Sequence, residues 1–433
     1  MNQPATLERR LAGLRAARSG PGPAVRASDR ARSLALADAL AATLAGEHVR
    51  TPLGSYVRVA APGRPLPLDR DCLASLPGQP PPGVPLVCLD TETTGLATAA
   101  GTFVFLVGLG RWAGDRFEQV QLLLPDQSEE RALLGALREL IPPDGWLVTY
   151  NGRGFDWPLL VTRYRMARDG APAHAGHLDL LPFVRRIFRH RLPDARLRTV
   201  ERELLGVERD RDIDGWDIPG RYLSFLRDGQ ADELVEVVRH NDEDVRSLAR
   251  LLAHIADELG NHQRRPGATA GDLAALAAAY RRAGRNEEAL DCLEAALAAA
   301  GREAAAGRSL PGRPSGEPGP SARRRSERLV AERARLLRRL GRIDDAVAAW
   351  QALAGAGGSL AAIAWIEMAK LLEHRCRDPG AALAATEAAA RLAERARLLG
   401  RPLPGLEADL MRRRRRLEAT LVRTRARRAG RAA

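Results

Sequence analysis

The run Leu86-Val87-Cys88-Leu89 ends in Asp90-Thr91-Glu92-Thr93-Thr94-Gly95, and few folds accept that order of residues. Four apolar residues bounded by turn formers read as a buried strand. Side chains alternate along a strand, so Asp90 and Glu92 point to one side. Two carboxylates held so close repel each other, and a hard divalent cation with oxygen ligands gives a reason for placing them there. The alternative is a solvated acidic pair at a strand end. The apolar run before the pair and the Thr-Thr-Gly turn after it favour the cation.

Further apolar runs at Thr102–Leu109, Phe117–Leu124 and Trp146–Tyr150 predict three more strands. A helical pattern at Glu129–Leu140 precedes the last of them, and a helix from about Phe155 to Arg168 follows it. That order, β-β-β-α-β-α, predicts a mixed α/β sheet. More helices are expected at Leu181–Arg189, Leu197–Leu205 and Ala231–Leu259. Ahead of the first strand, residues 1–82 read as a partly ordered N-terminal extension that ends in a stiff Pro/Gly linker, Pro77 to Gly83. Beyond residue 260 the chain is rich in alanine and repeats itself. Leu273, Leu276, Tyr280, Gly284, Ala289, Leu293 and Ala296 recur as Val330, Leu337, Gly341, Ala346, Trp350 and Leu353, and more loosely across Ala361–Leu392, a pattern that fits tetratricopeptide repeats over residues 268–395. Residues 301–325, with Gly, Pro, Ser and Arg interleaved, read as a flexible insertion, and residues 396–433 as an Arg-rich tail.

Two clusters join the first carboxylate pair. In Asn151-Gly152-Arg153-Gly154-Phe155-Asp156 the chain leaves a strand and enters a helix with Asp156 in its first turn. Asp156 could cap that helix, or act as a third ligand, since its strand can lie in the same sheet as Leu86–Asp90. In His240-Asn241-Asp242-Glu243-Asp244 the first and last residues are four apart and share a helix face, pairing an imidazole with a carboxylate. A solvated acidic face is the plain alternative for that segment.

Asp90-x-Glu92, Asn151 to Asp156 and the helical Asp244 resemble the three motifs of the DEDD superfamily of RNase H-like 3′-5′ exonucleases. His177-Leu178-Asp179, Leu197 to Gly206, Asp217-Ile218-Pro219-Gly220 and His240 to Asp244, with repeats behind them, are similar to the bacterial YprB-type subfamily, over about residues 50–395. The resemblance implies an RNase H-like domain over residues 83–260. It implies that Asp90, Glu92, Asp156 and Asp244 hold two Mg²⁺ or Mn²⁺ ions and hydrolyse phosphodiester bonds at a single-stranded DNA or RNA end. His240 would then orient or deprotonate the attacking water. Its spacing of four from Asp244 departs from the five of the histidine-bearing subfamily and leaves the base less secure than the ligands. Gly95, Leu96, Asn151 and Phe155 would grip the terminal nucleotide, or serve as turn and core residues. Asp179 is either part of the metal shell or the N-cap of the next helix.

Charge and composition set the partners. The chain of 433 residues carries a net charge of +13, but residues 401–433 hold eleven arginines against three acidic residues, so the excess is concentrated at the C-terminal end. That run supplies at most a salt-sensitive attraction for nucleic acid. The arginines between Arg185 and Arg198 could contact phosphates or form a solvated face. Four cysteines, far apart, suggest neither disulfides nor zinc. No apolar run approaches the roughly 20 residues that span a bilayer, and no signal peptide opens the chain, which points to a cytoplasmic protein. The repeats suit a peptide or protein partner. An adaptor whose RNase H-like module binds nucleic acid with little or no turnover is the competing reading.

Overall fold

The computed structural model describes residues 27–95, 101–210, 212–308, 320–400 and 404–432. They form two compact units. The first comprises Met1–Leu68, Gly83–Leu181 and Val200–Leu252, and the second Asp69–Pro82, Pro182–Thr199 and Ala253–Ala433.

The first unit is built on a seven-stranded mixed sheet with the order β1-β2-β5-β4-β3-β6-β7. The strands are β1 (Glu47–Thr51), β2 (Gly54–Pro65), β3 (Leu86–Thr93), β4 (Val104–Ala113), β5 (Arg116–Leu123), β6 (Trp146–Thr149) and β7 (Gly176–Asp179). β3, β4 and β5 form the expected antiparallel meander, and β6 and β7 add to it in parallel on the other side. Parallel pairing needs crossovers, which α3 (Glu130–Leu140) and α4 (Asp156–Met166) provide. β3 outruns β6: the pairing stops at Cys88 with Val148, so Asp90 and Glu92 lie where the neighbouring strand has ended.

The sheet begins earlier in the chain than the reading of residues 1–82 as an extension allowed. Helix α1 (Ala27–Thr43) and strands β1 and β2 precede the Pro/Gly linker, and β2 pairs with β5 from Val57 opposite Leu123 to Pro65 opposite Arg116. Pro62, Gly63 and Pro65 hid this strand from a periodicity reading. They fit because the register shifts between Ala61 and Arg64, where a bulge takes up the irregular residues. Conversely, the short helix α2 (Arg70–Ser75), Pro182–Thr199 with most of α5 (Leu180–Ile187) and α6 (Leu197–Val200), and the chain from Ala253 belong to the second unit.

Leucines and valines of β3–β5 pack with α3 and α4 and with helix α7 (Ile218–Asp228) to form the core. Tyr222 of α7 stacks on Phe105 of β4, ring centroids 4.1 Å apart, and its hydroxyl donates to the Leu124 carbonyl at 3.0 Å. A buried ion pair ties the two crossover helices: Arg163 Nη2 donates to Glu130 Oε2 at 2.7 Å, and the guanidinium lies over the Phe103 ring.

The second unit is all-helical beyond residue 270. Its helices are α9 (Ala270–Arg282), α10 (Asn286–Arg308), α11 (Pro320–Arg339), α12 (Ile343–Gly355), α13 (Ala361–His374), α14 (Pro379–Leu398) and α15 (Pro404–Ala432), and each packs on the next. The repeat seen in the sequence has a structural counterpart in two turns. Gly284 and Gly341 each have φ of +78°, where a side chain would be strained, and the backbone bonds around them match: Arg285 N to Tyr280 O, Arg342 N to Leu337 O. The segment 301–325 is narrower as a loop than expected, because α10 runs to Arg308 and α11 starts at Pro320; residues 309–319 lie outside the described residues. From Pro404 the Arg-rich tail is one helix.

Candidate active site

Three elements bring four carboxylates together. β3 supplies Asp90 and Glu92, the first turn of α4 supplies Asp156, and α8 (Leu234–Ile255) supplies Asp244. Burial raises the pKa of Asp90 well above the ordinary carboxylate range, and the charges of Asp244, Asp156 and Glu92 raise it further. Glu92 is raised by burial and then by Asp244 and Asp156. Asp156 is raised to about 6, mainly by burial, with the Thr91 hydroxyl opposing the rise. Charges on separate elements thus act on one another through a low-dielectric interior. Asp90, Glu92 and Asp244 keep partial access to solvent, while Asp156 is buried.

Asp156 and Asp90 are each held by a neutral partner. Thr91 Oγ1 donates to Asp156 Oδ1. Asn241 Nδ2 donates to Asp90 Oδ2 at 2.9 Å, and Asn241 Oδ1 accepts from Gln121 Nε2 at 2.9 Å. Gln121 also donates to the Val238 carbonyl at 2.8 Å, and Gln119 to that of Asp242 at 2.7 Å, so two inward-facing glutamines of β5 seat α8 on the sheet. Asn241 is fully buried, and Gly108, opposite Asp90 in β4, makes room for it: a Cβ on Gly108 would stand 2.1 Å from Asn241 Oδ1. Gly108→Ala is therefore expected to push Asn241 off Asp90 and lower metal-dependent turnover about 10- to 100-fold, the cost of losing a residue that orients a ligand. Gly108→Ala/Asn241→Ala should fall no further, measured as kcat in a double-mutant cycle.

His240 and Asp244 share a face of α8, with His240 Nε2 3.7 Å from Asp244 Oδ2. The other ring nitrogen, Nδ1, lies 2.6 Å from Asp212 Oδ1. A carboxylate on Nδ1 fixes the proton there and leaves Nε2 as the acceptor. Asp212 comes from the connection between Gly206 and α7, as does Arg209, whose guanidinium bonds Asp244 and Glu201. Arg209, Asp212, Asn241 and Gly108 were not foreseen as site residues. Asn241 carried a signal: it falls in the apolar stripe Leu234, Val238, Val245, Leu248, where an amide needs a buried partner.

The remaining candidates separate. Asp179 is engaged by the backbone, although its charge still acts on Asp156. Its Oδ1 accepts from the backbone N–H of Asn151 at 2.8 Å and Leu181 at 3.1 Å, and its Oδ2 from that of Arg153 at 3.2 Å. It therefore caps the helix that begins at Leu180 and clamps the loop 150–154, where Asn151 is held at φ +68°. Asn151 is exposed at the end of β6, and Phe155 is half-buried just ahead of Asp156. The Gly95 carbonyl accepts from Thr93 Oγ1 at 2.7 Å, closing the turn after β3. Leu96 lies outside the described residues.

The donor set suits a divalent metal ion. Four oxygen-bearing groups that disfavour one another's ionisation would be relieved by a hard cation. Among the described residues, no three His, Cys, Asp or Glu side chains already stand in a ligating arrangement. Asp90, Asp156 and Asp244 are turned onto Asn241, Thr91 and Arg209 instead.

A mixed sheet with a parallel flank, carrying acidic residues where the central strand passes its neighbour, is an RNase H-like domain, and the family model of the RNase H superfamily matches residues 87–256. The chain is also 32% identical to the "Uncharacterized protein YprB" of Bacillus subtilis (strain 168) over 305 residues, which cover 70% of this chain and 68% of that protein. It belongs to the YprB family of the RNase H superfamily.

Proposed function

We propose that the chain is a metal-dependent 3′-5′ exonuclease that hydrolyses phosphodiester bonds at the end of single-stranded DNA or RNA. The observation that carries this reading is the convergence of Asp90, Glu92, Asp156 and Asp244 from β3, α4 and α8, close enough for their charges to act on one another. Asp90, Glu92, Asp156 and Asp244 would hold two divalent cations, Mg²⁺ or Mn²⁺. When bound, such ions supply a hydroxide at neutral pH and stabilise the leaving 3′ oxygen. The chain's own groups do the rest. Asn241 keeps the Asp90 carboxylate in place, and the buried position of Asp156 limits competing water. His240, with Nδ1 on Asp212, accepts a proton from the attacking water at Nε2. Asn151 and Gly95, at the ends of β6 and β3, border the entrance for a terminal nucleotide.

A second reading is the adaptor with weak or no turnover, and the observation in its favour is that Arg209 already occupies Asp244. The helical repeats offer a surface for a protein partner in either reading. Among the described residues no helix is long and apolar enough to cross a membrane, and the site of action proposed is the cytoplasm.

Linear and circularised single-stranded oligonucleotides of one sequence test the exonuclease assignment. With Mn²⁺, the 5′-labelled linear strand should shorten as a ladder from its 3′ end while the circle survives. Cleavage of the circle would overturn the assignment.

A further inference from the structure

One large aromatic side chain stands outside the core. Of the six tryptophans, five are buried or half-buried, and Trp216 is 75% exposed. The turn that carries it is pinned on both sides. Ile213 and Ile218 flank it and are both buried in the core of the sheet unit, and the Asp217 N–H donates to the Asp214 carbonyl at 2.9 Å. Asp217 Oδ2 accepts from Arg221 Nε at 2.9 Å, and Arg221 Nη1 donates to Glu236 Oε2 at 2.7 Å, which fastens the turn to the start of α8. Single exposed apolar residues are ordinary. An indole held out on so fixed a support is placed for contact, because it offers a large flat surface whose ordering costs little entropy.

Its position along the chain says with what. Asp212, four residues before Trp216, holds His240 Nδ1. With at most ~3.6 Å of extended chain per residue, the Trp216 backbone lies within about 14 Å of that of Asp212. At ~3.4 Å per stacked nucleotide, that is a reach of about four nucleotides. An open cleft of about 370 Å³ lies between the same connection and α8, with Val207, Asp210, Arg239 and Arg250 among its walls and His240 at its edge. Its walls are mostly charged, so apart from the His240 ring the connection's flat face for a base is Trp216.

We propose that Trp216 is a stacking platform for a base of the single strand, a few nucleotides 5′ of the scissile bond, and so positions the 3′ end at the carboxylates. The inference rests on the nuclease reading above and adds to it a residue that selects the substrate. Stacking on indole tolerates every base, so the contact is blind to sequence but favours strands long enough to reach the turn. Bases within a duplex already cover one another's faces, so the same contact selects for single strands.

Binding of 5′-fluorescein-labelled DNA to the full chain in EDTA, followed by fluorescence anisotropy, tests this without turnover. Trp216→Ala should weaken binding of a 12-nucleotide single strand about tenfold or more, Trp216→Phe should restore most of the loss, and binding of a 12-base-pair duplex should not change. Because Trp216 is exposed, its removal leaves the core intact. With Mn²⁺, KM for the 12-nucleotide strand should rise by the same factor at unchanged kcat, and kcat/KM for a dinucleotide, too short to reach the turn, should stay at the wild-type value. Equal affinity of Trp216→Ala and wild type for the long strand would overturn the inference and leave the ring as an anchor for a protein partner. An equal loss for the duplex or the dinucleotide, or a fall in kcat at unchanged KM, would also overturn it. Binding in EDTA that depends on Trp216, with no hydrolysis in Mn²⁺, would instead bring down the nuclease reading and leave the platform to the adaptor.

Discussion

Replacing Asp90 by asparagine is expected to lower metal-dependent hydrolysis of a single-stranded oligonucleotide by about 10³-fold or more, while the folded chain and its affinity for nucleic acid persist. The substitution preserves shape: the amide oxygen of the new side chain can still accept from Asn241 Nδ2, now 2.9 Å from Asp90 Oδ2. What is lost is the negative charge at the end of β3 from which the proposed metal centre is built. Asp244→Asn should cost a similar factor, since Asp244 is the α8 contribution to the same charge cluster. Combining the two should cost much less than the product of the single losses, because residues that act on one centre are not additive. Asp179→Asn is the contrast. Its partners are backbone N–H groups of residues 151, 153 and 181, so it should loosen a loop and raise KM more than it lowers kcat.

Asp156→Asn is expected to stabilise the metal-free protein at pH 7.5 by about 2–3 kcal/mol, raising its unfolding midpoint by about 5 °C or more, even as it destroys activity. The folded-state pKa of Asp156 is raised from 3.8 to about 6, chiefly by burial. Between these values the folded chain holds a proton that the unfolded chain has released. The Asp156 contribution is therefore most favourable below about pH 4 and is lost as pH rises through about 6. The gap between variant and wild type should close as pH falls from 7.5 to 4. His177 works the other way: burial lowers its pKa to about 4, so acid destabilises the folded form through that ring. Because His177 is present in both proteins, the difference between them isolates Asp156. Mn²⁺ added at pH 7.5 should raise the wild-type midpoint and leave that of Asp156→Asn nearly unchanged.

Much of this arrangement could be read from the chain. The strand-end pair Asp90 and Glu92, the turn leading to Asp156 and the helical pair His240 and Asp244 each signal themselves by local pattern, and the order of elements sets the first two at the ends of strands of one sheet. Pairing partners were less legible. β1 and β2 escaped because β1 is short and β2, interrupted by Pro62, Gly63 and Pro65 in the part that β1 does not cover, lacks alternation there, and only its register against β5 reveals it. Arg209 and Asp212 lie in a connection without periodicity, and nothing local distinguishes them from the chain's other charged residues. They acquire meaning only when the reversal at Gly206 brings them to α8. Asn241 was readable in principle as a polar residue in an apolar stripe, but its partner Gln121 is 120 residues away.

The central claim is that the carboxylate cluster of β3, α4 and α8 is a metal-dependent phosphodiesterase centre. The most direct measurement is degradation of matched 5′-labelled single-stranded DNA and RNA by the full chain with Mg²⁺, Mn²⁺ or EDTA, beside Asp90→Asn prepared identically. Shortening that requires a divalent ion, stops in EDTA and disappears in Asp90→Asn is the predicted result. Equal cleavage by wild type and variant, or intact strands with every metal while both proteins still bind nucleic acid, would contradict it and leave the adaptor in its place.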